Sequence, residues 1–209
     1  PFSRYEESYE TEQNLYKNSL GNIVIFEEIN HSLGLTFIYE WQSSSKYGFI
    51  RKSRLVNHHS NVLNVELVDG LRNIMPAGVE LRTQQEMSNL ANAYKVSEYM
   101  PDANCALFFM NALLMDRPEP GESLYSNLVW SYYNGKKIIS VSEEDIDQFA
   151  DSGTLNGAHL IKGKPGCFLT KIEENLEPED EMYWYTVADV NKTQTEITHI
   201  ISDLRDISK

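Results

Sequence analysis

The residues of this 209-residue chain whose types could do chemistry are its histidines, its runs of carboxylates and its tryptophans. The five histidines are the natural groups for proton transfer or metal ligation near neutral pH. His58 and His59 are consecutive, so in extended chain their rings point to opposite sides and do not readily share one ion. Both fall in NHHSN, and His31 falls in NHS; such polar segments read as turns. His159 flanks a Gly-Ala step, and His199 lies on a helical stretch opposite its apolar stripe. The sequence contains no H-E-x-x-H, phosphate-loop or G-x-S-x-G pattern. Neither a metal nor another cofactor is expected.

Glycoside chemistry uses two carboxylates placed across the scissile bond. Glu27-Glu28, Glu143-Glu144-Asp145, Glu173-Glu174 and Glu179-Asp180-Glu181 are candidate runs. Runs of this kind usually form solvated faces, and spacing along the chain does not say which carboxylates converge. Asp69, in LVDGLRN, stands where an apolar run ends. It is either an acid presented at a strand end or the acid of a turn. Trp41, Trp130 and Trp184 each occupy an expected strand, in company with Tyr39, Tyr132, Tyr133, Tyr183 and Tyr185. Sugar rings stack on exposed indole faces; the alternative is that these rings fill the space between two sheets. Trp41 and Trp130 are the candidates for an open, sugar-binding face, and Arg72 and Asn73 are the polar candidates.

Alternating runs must position these groups. Residues 1–14 are polar and acidic and read as a lead-in. Residues 22–29, 33–41, 47–56 and 62–69 read as four strands separated by short polar turns, an antiparallel pattern. In the second of them Leu35, Phe37, Tyr39 and Trp41 share one face, because strand side chains alternate. Residues 83–100 read as a helix opened by a Thr83/Glu86 capping box, with Met87, Leu90, Ala91 and Tyr94 facing inward. Strands are expected again at 105–115, 123–133, 166–174 and 182–190, with a short acidic-ended helix at 142–150. A second T-x-x-E box, Thr193 and Glu196, opens a terminal helix whose stripe is Ile197, Ile200, Ile201 and Leu204. This helix is either docked on its own sheet or a linker into something further.

Composition narrows the class. Hydrophobic residues make up 41% of the chain, which suits a folded core rather than a disordered segment. A formal net charge of −13 argues against nucleic acid or an anionic membrane as the partner, and is compatible with neutral ligands such as sugars. Cys105 and Cys167 form no CxxC pair; a disulfide and two buried thiols both remain open. The longest apolar run, CALFFMNALLM, is shorter than a membrane helix needs. Absence of a signal-like segment suggests a soluble, cytoplasmic protein, and a start at Pro1 reads as a processed or excised piece.

The segments NLYKNSLGNIVIFEEINHSLGLTFIYEW, YGFIRKSRLVN and VELVDGLRNIMPAGVE resemble the β-sandwich region of cellobiose-phosphorylase-like proteins (glycoside hydrolase family 94), in an order that continues through SNLANAYK, RPEPGESLYSNLVWSY and WYTVADVN. The resemblance covers nearly the whole chain. It implies a mainly β fold: an antiparallel two-sheet, galactose-mutarotase-like β-supersandwich with a few helices. Residues 1–191 would form that domain. Residues 192–209 would be a helical linker toward an (α/α)6 catalytic domain of the same parent, which would hold the catalytic acid and phosphate site; no catalytic residue is therefore assigned here. The implied role is non-catalytic and carbohydrate-associated, with a homodimer as an open option. Within the resemblance the Asp69-Gly70 step is turn chemistry: aspartate bonds the backbone ahead, glycine accepts a positive φ, and Arg72 pairs with the acid. The competing readings are a self-sufficient mutarotase-like epimerase, which would need a histidine and a carboxylate at one sugar, and a stand-alone sugar-binding module.

Overall fold

A computed structural model describes residues 9–113 and 121–207 of the chain. The first part of the expected lead-in, the end of the expected strand 105–115, part of the RPEPGES segment and the last two residues lie outside these. The described chain is mainly β, with two antiparallel sheets and few helices. Its strands are β1 Thr11–Lys17, β2 Ile23–Asn30, β3 Leu35–Ser43, β4 Phe49–Asn57, β5 Leu63–Ile74, β6 Lys95–Met100, β7 Cys105–Met110, β8 Tyr125–Tyr132, β9 Lys137–Ser140, β10 Leu160–Lys162, β11 Gly166–Leu176 and β12 Glu181–Thr193. The helices are α1 Leu81–Glu86, α2 Ser88–Ala93, α3 Glu144–Ser152 and α4 Gln194–Ile207. A nine-stranded sheet runs in the order β1-β2-β3-β4-β12-β8-β7-β6-β10, and a three-stranded sheet in the order β5-β11-β9.

The chain divides into two compact units. The first comprises Pro1–Leu67, Ser131–Lys136 and Ile172–Val187. Its core joins Leu55, Met182 and Trp184 of the larger sheet to Ile172 and Leu176 of the smaller, with Leu35, Phe37, Val65 and Leu67 packed around them. Phe37 stacks on Trp184 with ring centroids 5.9 Å apart. Asn57, fully buried, donates through Nδ2 to the carbonyls of Asn61, Leu176 and Glu177, so its polar head is satisfied without water. His58 bonds Thr36 Oγ1 at 2.9 Å and His59 bonds the Leu33 carbonyl at 2.7 Å, which ties the NHHSN segment to the neighbouring turn.

The second unit comprises Val68–Trp130, Lys137–Lys171 and Ala188–Lys209. Ala106, Phe108, Val129, Ile139, Val141 and Phe168 form its main core. Leu155, Cys167 and Leu169 form a further cluster with Ile138, Val68 and Ile146 of α3. Acidic Glu144, Asp145 and Asp147 fill the first turn of α3, where the helix dipole favours them, and Gly153 closes it at φ 69°. Cys105 and Cys167 are free, buried thiols, each pushed up to about 12 by burial.

Three expectations are corrected. The end of the lead-in, residues 11–14, belongs to an edge strand, β1, antiparallel to β2. The helix expected over 83–100 is two short helices: its Thr83/Glu86 box forms no cap, and the backbone breaks at Met87 (φ −134°, ψ 44°). Residues 95–100 instead pair with β7 and β10, because the KVSEYM alternation finds strand partners there. Met87 and Leu90 are accordingly exposed, and only Ala91 of that face is buried in α2. Asp69 and Gly70 are not a turn; they lie inside β5. Gly70 is required for close approach, since a Cβ there would fall on the Phe168 carbonyl oxygen of adjacent β11. In the terminal stripe, which the sequence left open, Ile200, Ile201 and Leu204 are buried. The Thr193–Glu196 box does form, Thr193 N–H donating to Glu196 Oε2 at 2.9 Å. No helix among the described residues is long and apolar enough to cross a membrane.

Candidate functional site

The first unit carries a cleft of about 430 Å³ over strands β1, β2 and β3. Residues directly opposite in antiparallel strands share a face. The register places Gln13 opposite Glu28 and Glu28 opposite Phe37, and the next row is Leu15, Phe26 and Tyr39. A third row is Lys17, Val24, Trp41 and Arg51. Phe37 belongs to the core cluster, whereas Phe26 and Leu15, nearer the sheet edge, do not. Leu15 is 66% exposed, so this stretch of the face lies open beyond the packed core. Phe26 and Tyr39 stack at 4.7 Å with 13° between ring planes, and Phe37 stands 5.6 Å from Tyr39.

The polar groups of the cleft divide by strand geometry. Glu27 and Glu28 are consecutive on β2 and project to opposite faces. Glu27 accepts from Tyr16 Oη at 2.9 Å and from Asn14 Nδ2 at 3.2 Å, holding the Tyr16 phenol above its ordinary pKa. Glu28 shares the face of the aromatic rings and accepts from Gln13 Nε2 at 2.7 Å. That face therefore presents stacked rings, one carboxylate and one amide.

Of the four sugar-binding candidates Trp41, Trp130, Arg72 and Asn73, Trp41 alone lies in the first unit. It is half-buried on the aromatic face, with the Arg51 guanidinium 5.7 Å from its ring. Trp130, in the second unit, is 6% exposed and part of the interior, opposite Cys105 in the ladder. Arg72, also in the second unit, does not pair with Asp69. Its Nε donates to Glu143 Oε1 at 2.7 Å, and that carboxylate holds the guanidinium above its usual pKa. Asn73 takes a left-handed backbone at φ 54°. A second cleft, of about 380 Å³, includes Arg72, Glu143, Glu144 and Lys164, whose charges pair among themselves. Neither cleft has a histidine in its lining. Among the described residues no group of three or more metal-ligating side chains assembles.

Phe26 and Gln13 were missed, and Glu28 was named only as part of an acidic run. Their signal was the strand alternation of TEQNLYK against IVIFEEIN, hidden because β1 is polar and mostly exposed. A second aromatic row, Tyr132, Tyr185 and Tyr183, lies on β8 and β12, with the Lys52 amine 5.6 Å over the Tyr183 ring.

No family model and no curated protein matches the chain. Among solved structures, the chain is similar to the heparan sulfate lyase HepC from Pedobacter heparinus, at 9% identity and a TM-score of 0.45, over 88% of this chain and 22% of that one. Heparinase III is similar at 11% identity and a TM-score of 0.46, with the same 88% and 22% coverage. A galactose mutarotase-like protein from Clostridium acetobutylicum is similar at 10% identity and a TM-score of 0.34, over 88% of this chain and 67% of that chain. The chain thus spans about a fifth (22%) of the two lyase chains. Likenesses this distant bear on neither substrate nor activity.

Proposed function

We propose that this chain is a non-catalytic, carbohydrate-associated β-sandwich domain that holds a sugar against the aromatic shelf of its first unit. The observation that supports this reading is the Phe26–Tyr39 stack, 4.7 Å between centroids, in a cleft open at the sheet edge. A flat apolar ring face takes the C–H face of a pyranose, while the Gln13 amide and Glu28 carboxylate take its hydroxyls. The alternation of β2 supports the non-catalytic part: Glu27 and Glu28 cannot flank one bond from the same face, whereas glycoside cleavage needs two carboxylates there. In this reading the parent is a glycoside phosphorylase- or hydrolase-like protein, and residues 192–209 lead toward its (α/α)6 domain.

Calorimetric titration with neutral oligosaccharides tests the shelf. Binding is expected, weakened about tenfold in Tyr39→Ala, in line with loss of one stacking ring. Absence of binding to every oligosaccharide tried overturns the reading. The non-catalytic part is checked separately: α-to-β interconversion of glucose and galactose should run at the buffer rate, and acceleration by the protein would favour the epimerase reading instead.

A further inference from the structure

The geometry points to an amino sugar, carried as its protonated ammonium form, as the ligand of the Phe26–Tyr39–Glu28 cleft. This rests on the shelf reading above and narrows its ligand class. Among the described residues of β1 to β4, Glu28 is the one carboxylate on the ring-bearing face, and its hydrogen bond comes from the neutral Gln13 amide at 2.7 Å. Among the described residues no cation pairs with it. The cations on the same face, Lys17 and Arg51, sit two rows along the strands from Glu28, at the level of Trp41. Four residues of strand separate their backbones from that of Glu28 by roughly 13 Å, and neither side chain forms an ion pair with it. Arg51 is moreover engaged over the Tyr39 and Trp41 rings, at 5.8 and 5.7 Å.

The cleft thus presents unneutralised negative charge beside the faces of stacked rings. A neutral pyranose satisfies the rings and one hydrogen bond. An ammonium substituent on the same ring adds a charge-assisted bond to Glu28 and attraction to the ring quadrupoles. The chain's net charge of −13 draws such a ligand in and repels uronates and sulfated sugars.

The test pairs two ligands that differ at one substituent: a β-1,4-linked glucosamine tetrasaccharide, protonated in mildly acidic buffer, and cellotetraose. The amino oligomer should bind the whole chain about tenfold or more tighter than cellotetraose, with the gap closing at high salt. Glu28→Gln, which also touches the hydroxyls of a neutral sugar, should bring the two affinities together while leaving the circular dichroism spectrum unchanged. Glu98→Gln, at the exposed position of β6 and outside the cleft, removes the same net charge and should leave the gap intact. Equal affinity for the two ligands overturns the amino-sugar inference and leaves the carbohydrate reading standing. Equal erosion by Glu98→Gln and Glu28→Gln also overturns it, since the preference would then be bulk attraction. Binding of neither ligand removes the shelf reading and this inference together.

Discussion

In the first unit, strands β2 and β3 bury almost none of their side chains completely; Asn30 and Thr36 are the exceptions, and Phe26, Phe37, Tyr39 and Trp41 all stay half-buried. In the second unit, Ala106, Phe108, Val129, Val141 and Phe168 are each no more than 1% exposed. Both regions are antiparallel sheet with alternating side chains. The difference is what covers the apolar face. Full cover turns rings into core, worth a few kcal/mol each and unavailable to any ligand. Partial cover leaves ring faces that stabilise less and can accept a flat apolar guest. The two units should therefore separate under mutation, stability responding in one and binding in the other.

The largest effect is expected at Gly70. The Phe168 carbonyl cannot yield to a Cβ without parting β5 from β11, so Gly70→Ala should cost about 4 kcal/mol or more in denaturant unfolding. An unchanged midpoint would show that the two strands are not so tightly apposed. Leu204→Ala comes next, at about 2–3 kcal/mol, because its side chain, on the buried face of α4, is 7% exposed. Its oligosaccharide affinity should equal that of wild type; a loss there would erase the division of labour between the units. Tyr39→Ala reverses the pattern. It should lower affinity about tenfold and stability by only about 1 kcal/mol, since the ring is half-buried. A collapse of the fold in that variant would make the shelf ordinary core.

The smallest effect is a pH step at the start of α4. The Thr193 backbone N–H, and then its hydroxyl, hold the Glu196 carboxyl below its usual pKa. A depressed native value means the cap's contribution is present above the ordinary carboxylate pKa. It is lost as pH falls through the native value. Hydrogen exchange in the first turn of α4 should therefore accelerate at acid pH, and Glu196→Gln should remove that step. An acid step persisting in Glu196→Gln would assign it to another group.

Much of the strand framework was legible. Residues 22–29, 33–41 and 47–56 are strands within two residues of the expected bounds, and Leu35, Phe37, Tyr39 and Trp41 do share a face. Period-two alternation between polar turns carries that information locally. Residues 83–100 were misread because a T-x-x-E box and a helical stripe are also local, while the pairing of 95–100 with β7 is not. Two identical T-x-x-E patterns came out differently: Thr193 and Glu196 cap a helix, Thr83 and Glu86 do not.

The sequence by itself determined the alternation, the acidic balance and the grouping of rings along β3, all properties of a residue and its near neighbours. Only the tertiary structure decided which rings were covered, bringing Phe26 and Glu28 of β2 beside Tyr39 while closing Trp130 inside. It also decided that Arg72 meets Glu143, 71 positions away, rather than Asp69. Burial and pairing across such separations depend on how sheets are assembled, and strand order is set by the free energy of the whole core rather than by any one segment.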